Sequence, residues 1–158
     1  MKRAFFILLF GCLVALGILA PHKEAEAQVS SRRMVTVLAS AERITTTTSS
    51  DITNLDEAQN IRGGYITLDV TEVTTTPIIT LSVEFKDPVS GEYETLLTAS
   101  SGVNATGTHT YLIYPGAGTA GADVTQVAGY VLPQVWRVSV EHDDTDPIEY
   151  SVGAMLAP

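Results

Sequence analysis

The chain is 158 residues long, with 18 acidic side chains against 9 basic ones and a formal net charge of −9 at neutral pH. That is the length of one ordinary domain, enough to enclose a core without staples, and its charge repels nucleic-acid phosphates instead of neutralising them. The single cysteine, Cys12, lies in the first apolar stretch, so disulfide and thiol chemistry are excluded from everything after it.

Met1-Lys2-Arg3 is a short positive segment followed by an apolar run over 4–20. Ala25-Glu26-Ala27 then places small residues at the −3 and −1 positions of a leader-peptidase site. The run is shorter than the about 20 residues that a bilayer-spanning helix prefers, so cleavage after Ala27 is the first expectation and a retained membrane anchor the second. Leu9-Phe10-Gly11-Cys12 has the outline of a lipoprotein box, but bulky Phe10 and the apolar residues after Cys12 argue against lipidation. Removal of 1–27 leaves 131 residues with 6 basic and 16 acidic side chains, because the leader carries three of the former and two of the latter. The expected organisation is a leader helix over 1–27, an arm with the first strands over 28–60, and a body over 61–158.

The remainder reads as strands punctuated by turns. Strands are predicted over 34–40, around 44–48, and over 65–73; the Thr runs 45–48 and 74–76 suit extended chain because β-branching stiffens χ1. Ile79, Leu81, Val83 and Phe85 alternate with polar residues, which sends one row to a core and one to water. Lys86-Asp87-Pro88-Val89-Ser90-Gly91 carries turn chemistry, and 93–99 returns as the partner strand. Pairing Phe85 with Tyr93 sets Leu81 opposite Leu97. A further strand is predicted over 109–114, and 54–64 and 116–128 read as loops, the second with room for a short helical turn.

At the C-terminal end, Trp136, Val138 and Val140 alternate with polar residues, as do Ile148, Tyr150 and Val152. A five-residue loop, Asp143 to Pro147, makes these a hairpin pairing Val140 with Tyr150, Val138 with Val152 and Trp136 with Ala154. A four-residue loop would put Val140 opposite Glu149, a register that sends apolar rows to the wrong face. Many short strands without a long helical pattern indicate an all-β fold, an antiparallel β-sandwich of jelly-roll type. Its expected core is Leu81, Val83, Phe85, Trp136, Val138, Val140, Tyr150 and Val152.

No motif for chemistry survives its context. Gly116-Ala117-Gly118-Thr119-Ala120-Gly121 matches the letters of a dinucleotide fingerprint, but Pro115 and Pro133 bracket it where a helix is required. Asp143, Asp144 and Asp146, with Glu149 near, are calcium candidates by ligand type, yet they lack the order and glycine of an EF-hand, and aspartate is an ordinary turn former. His109 and His142 are the histidines that follow the leader, and neither has a zinc-protease or nucleophile-elbow context. Sixteen acids give accidental carboxylate pairs, best read as solvated faces. Trp136 reads as a core anchor. Asn104-Ala105-Thr106 is a glycosylation sequon that matters only in a eukaryotic secretory host. No catalytic residue, cofactor or metal is therefore expected; a secreted hydrolase would need a motif that these residues do not supply.

Three blocks resemble a group of small β-rich structural proteins of tailed bacteriophages: Lys86-Asp87-Pro88 with Gly91 and Tyr93; Leu132-Pro133 with Trp136-Arg137-Val138; and Tyr150-Ser151-Val152-Gly153-Ala154. The Thr- and Ser-rich stretch 39–54 is similar too, and the resemblance spans most of 35–156. It implies a virion component, capsid-decorating or tail-associated, whose partners are capsid or tail subunits or copies of itself. The leader departs from that pattern, since tailed-phage heads assemble in the cytoplasm. Initiation at Met34 would leave 125 residues and no leader; otherwise the competing expectation is an exported surface, filament or adhesive subunit. The expected location is accordingly the virion or the extracellular space, with membrane contact only through an uncleaved leader.

Overall fold

The computed structural model describes residues 33–54 and 60–158. The expected leader, its cleavage site and residues 55–59 lie outside the described residues. The described chain is all β: β1 (Arg33–Arg43), β2 (Thr47–Thr48), β3 (Ile52–Thr53), β4 (Gly63–Val73), β5 (Ile79–Lys86), β6 (Tyr93–Thr98), β7 (Gly107–Ile113), β8 (Gln126–Ala128), β9 (Val135–His142) and β10 (Ile148–Ala157).

Two sheets form a β-sandwich. Sheet A runs β1-β10-β4-β7-β8, and sheet B runs β2-β9-β5-β6 with β3 also on β9. The pairings nest: β5 with β6, β4 with β7, β2 and β3 with β9, and β1 with β10, all antiparallel. One long hairpin, folded at the β5–β6 turn and then rolled up, produces that order, which is the jelly-roll wrapping. Residues 33–54, most of the expected arm, lie within the roll as the edge of both sheets.

Alternation drives the roll because each strand has one greasy row. Ile66, Leu68 and Val70, Tyr111 and Ile113, and Ile148 to Leu156 at every second position face inward from sheet A. Ile79, Leu81, Val83, Leu97, Trp136, Val138 and Val140 meet them from sheet B. Each such side chain taken from water contributes about 1.5–3 kcal/mol, which is what outweighs ordering two sheets. Of the expected core, only Phe85 falls short, being half-buried at the rim. Gly64 is needed where β4 lies between its neighbours, since a Cβ there would sit 2.6 Å from the Met155 carbonyl oxygen.

The predicted C-terminal hairpin is corrected. β9 belongs to sheet B and β10 to sheet A, so Val140, Val138 and Trp136 are not strand neighbours of Tyr150, Val152 and Ala154. The rows do face each other, but across the interior. Asp143 to Pro147 is a corner between sheets, braced by Asp143 N–H donating to the Ile78 carbonyl and Thr74 N–H donating to the Pro147 carbonyl. Alternation tells which residues face inward; it does not tell whether two inward rows lie side by side or opposed.

The β5–β6 register is corrected as well. Phe85 pairs with Glu94 and Lys86 with Tyr93, then Val83 with Leu97, with a register shift between. Leu96 is the extra residue of a bulge, and it reverses parity: Leu97 faces inward while Tyr93 faces out. The turn itself is as read. Asp87 Oδ1 accepts from the N–H groups of Val89 and Ser90, and Gly91 takes φ +76°.

The loop over 116–128 contains a strand, β8, parallel to β7. Gln126 fastens it to the other sheet: its side chain accepts from Ser100 N–H at 2.7 Å and donates to the Thr98 carbonyl at 3.0 Å. Four chain segments cross between sheets at one end of the roll, 44–46, 74–78, 99–106 and 143–147. We call this the crossover end, and the end holding the β5–β6 turn the open end.

Candidate functional site

At the crossover end β1 carries two register shifts against β10, between Thr36 and Leu38 and between Leu38 and Ala41. Such bulges leave carbonyls without ladder partners. Arg43 serves them: Nη2 donates to the Ala39 carbonyl at 2.7 Å, and Nη1 donates to the carbonyls of Ala41 at 2.9 Å and Tyr150 at 2.7 Å. Its guanidinium also lies 4.4 Å from the Tyr150 ring centroid, a cation–π contact.

His142 ends β9 beside the same tyrosine, with Nε2 3.4 Å from the Tyr150 hydroxyl and ring centroids 5.9 Å apart. Its Nδ1 is buried without a hydrogen-bond partner among the described residues. Burial pushes the imidazole below its ordinary value, Asp144 opposes that shift, and Arg43 adds to it. Burial likewise raises Tyr150. Arg43, His142 and Tyr150 together brace this corner.

Of the calcium candidates, Asp144 Oδ1 accepts from Asp146 N–H at 2.9 Å and Asp146 Oδ2 accepts from Thr76 N–H at 3.3 Å. Asp146 ties the β9–β10 corner to the β4–β5 corner, and the Asp144 bond closes the first corner on itself. Asp143 and Asp144 are exposed, and among the described residues no group of three or more His, Cys, Asp or Glu side chains converges to hold a metal ion. His109 pairs with Leu68 on the inward face of sheet A, half-buried and apart from the His142 corner in sequence and sheet. The glycine-rich segment 116–121 joins β7 to parallel β8 without the helix that a dinucleotide needs. Past it, Ala122 to Thr125 and the outward Thr108 and Thr110 line a shallow open depression.

Two features escaped sequence reading. The first is a polar network on the outer face of sheet B. Arg137 Nε donates to Glu84 Oε2 at 2.6 Å while its guanidinium stacks 3.3 Å from the Tyr93 ring centroid. The Tyr93 hydroxyl donates to Asp51, and Lys86 bonds the same carboxylate at 3.2 Å. The Tyr93 bond and the lysine hold the Asp51 carboxyl below the usual range. The network ties β9, β5 and β6 to the break between β2 and β3.

The second feature is the outer face of sheet A. Registers align Met34, Met155, Tyr65, Leu112 and Val127 across all five strands at the open end. Beside them run Thr36, Gly153, Thr67 and Thr110. At the crossover end the same face carries Glu42, Glu149 and Glu72 in line. A signal for the apolar row exists in the sequence: Tyr65-Ile66, Leu112-Ile113 and Met155-Leu156 are apolar at both parities of their strands.

No protein-family model and no curated protein matches the chain. Among solved structures it is similar to a chain in the structure of infectious bursal disease virus, Gx strain, with a TM-score of 0.40 and 14% identity over 80% of this chain and 31% of that one. A chain of the Gt strain gives a TM-score of 0.32 and 14% identity over 80% and 27%. This chain spans less than a third of the length of either.

Proposed function

We propose that the chain is a non-enzymatic structural subunit of a virion, a capsid-decorating or tail-associated component of the tailed-phage kind. One observation carries the reading: the nested roll has its interior filled by Trp136, Tyr111, Tyr150 and aliphatic side chains. Jelly rolls serve viral capsid domains, lectins and cupins alike, so the fold does not choose among them. What the sandwich holds does bear on the choice. An enzyme built on it needs convergent polar groups in a cleft. Here the groups with chemical potential, His142, Arg43, Asp144 and Asp146, are spent on corners and bulges. A rigid body presenting broad faces suits contact with other subunits.

A second reading, an exported filament or adhesive subunit, is favoured by the leader-like pattern over 1–27. Purified particles decide between them. The virion reading expects the chain in particles at a fixed ratio to the capsid protein. Intact mass showing a Gln28 terminus, on protein recovered from medium and absent from particles, refutes it in favour of export.

A further inference from the structure

The two halves of β1, at one edge of sheet A, are attached in different ways. The open-end half packs Val35, Val37 and Leu38 against the core. From Ala39 to Thr46 every residue is exposed except half-buried Arg43, so little apolar burial holds this stretch. Polar contacts hold it instead. Residues 41–43 pair with Ile148–Tyr150 beyond two register shifts, Arg43 donates to three carbonyls, and Ser40 donates to Glu149. A segment with few apolar contacts opens at a fraction of the cost of global unfolding.

His142 sits where that stretch meets the body. Its N–H donates to the Thr46 hydroxyl at 3.2 Å, and its ring lies against Tyr150, whose ring and carbonyl Arg43 also engages. Facing the imidazole are Arg43 from β1, the Tyr150 hydroxyl from β10 and Asp144 from the β9–β10 corner. Its strand partner on β5 is Ile79, and the crossings 44–46 and 74–78 carry no charged residue. Asp144 is exposed and already accepts from Asp146 N–H. A doubly protonated ring would therefore make Nδ1 a buried donor with no acceptor among the described residues, near a fixed guanidinium.

We propose that the crossover end is an acid-released latch: protonation of His142 frees the stretch 39–46 from β10 while both sheets stay folded. Lifting 39–46 carries Arg43 away and opens the imidazole to water, so the open form takes the proton and the equilibrium moves toward it. The sign follows from that preference. The open form gains as pH falls through the ordinary histidine value of about 6.5, and the closed form is retained above it. One proton raises the open population by at most about tenfold between about pH 7.5 and about pH 5.5. What comes free is the β10 backbone at Ile148, Glu149 and Tyr150. The inference goes beyond the structural-subunit reading and stands whatever the subunit assembles with.

The test is hydrogen exchange of the full-length chain at those two pH values, corrected for the intrinsic exchange rate. At the higher pH the ladder amides of 41–43 should be far less protected than those of Ile79–Phe85, because they open locally. At the lower pH their protection should fall about three- to tenfold. β6, the edge strand that pairs only with β5, should keep its own protection. His142→Gln should lose the response, with Trp136 fluorescence reporting an intact fold. Titration of the wild-type imidazole by NMR is a check that needs no variant, and its midpoint should lie below about 6.5.

Protection of 41–43 equal to that of β5 overturns the latch, because the stretch then opens only with the whole fold. So does protection that is unchanged by acid, a matching loss in β6, or a response that persists in His142→Gln. A ring midpoint at or above about 6.5 overturns it too, since the closed form would then accept the proton as readily as the open one.

Discussion

The two ends of the roll solve different problems with different side chains. At the crossover end the backbone leaves one sheet for the other four times, and polar groups repair what the crossings expose: Arg43 on three carbonyls, Asp146 on Thr76 N–H, Asp144 on Asp146 N–H. At the open end Trp136 is fully buried, its indole N–H donating to Asn54 at 3.3 Å, and apolar side chains continue onto the outer face. Stability should therefore be packing-limited at one end and hydrogen-bond-limited at the other. Substitutions at each end ought to fail in different ways.

The largest effect is expected at the open end. Trp136→Ala empties the biggest fully buried side chain, and truncations of this kind cost about 3–5 kcal/mol. Urea unfolding followed by circular dichroism measures it. A cost below about 1 kcal/mol would mean that the open end collapses freely, and the contrast between the ends would disappear.

At the crossover end Arg43→Ala should cost about 1–2 kcal/mol, since it strands the part-buried Tyr150 carbonyl, whereas water can replace it at the exposed Ala39 and Ala41 carbonyls. Arg43→Lys should recover little of that, because one ammonium cannot reproduce a planar fork that reaches three carbonyls. Recovery to wild-type stability with lysine would reduce Arg43 to a simple charge. The same end should also sense pH. His142 has its folded-state value below the ordinary about 6.5, so as pH falls past that point the unfolded chain gains a proton that the folded chain refuses. Stability should decline from pH 7 toward 5, before the carboxylates titrate, and His142→Gln should flatten that slope. An identical slope in the variant would place the proton elsewhere.

Much of this was legible beforehand, and the remainder has a common cause. The inward rows of β5, β9 and β10 follow from period-two alternation, and the turn at 86–91 from Asp87, Pro88 and Gly91. Partnership between rows was not legible. The segments 136–142 and 148–152 are close in sequence and in register for a hairpin, yet nesting of the whole chain gives β9 to β5 and β10 to β4. Those are non-local pairings that no window of sequence contains. Leu96 hides in the same way: a bulge residue looks like any other strand residue until its partner is known. The apolar row on the outer face of sheet A was half-legible. Doubly apolar pairs such as Leu112-Ile113 were there to read, but alignment of five of them into one row depends on registers between distant strands.

A smaller effect, of opposite sign, comes from the core near the open end. Tyr111 is fully buried, with its hydroxyl lacking a hydrogen-bond partner among the described residues and its ionisation pushed up by burial. An unsatisfied buried hydroxyl is a standing cost, so Tyr111→Phe should stabilise the chain by about 1 kcal/mol. Loss of stability instead would show that the hydroxyl has a partner, and that the open end also depends on polar satisfaction.

The smallest expected change concerns the acid row at the crossover end. Glu42, Glu149 and Glu72 stand directly opposite one another on adjacent strands, where like charges oppose pairing. Ser40 relieves one of them by donating to Glu149 Oε1 at 2.8 Å. Glu72→Gln keeps the side-chain length and removes one charge, so thermal unfolding at low salt should show a gain of about 0.2–0.5 kcal/mol. In about 1 M salt, where the Debye length is about 3 Å, the gain should vanish. Persistence there would trace the effect to something other than repulsion. A gain at low salt that fades at high salt would identify the row as a cost that the fold itself does not require.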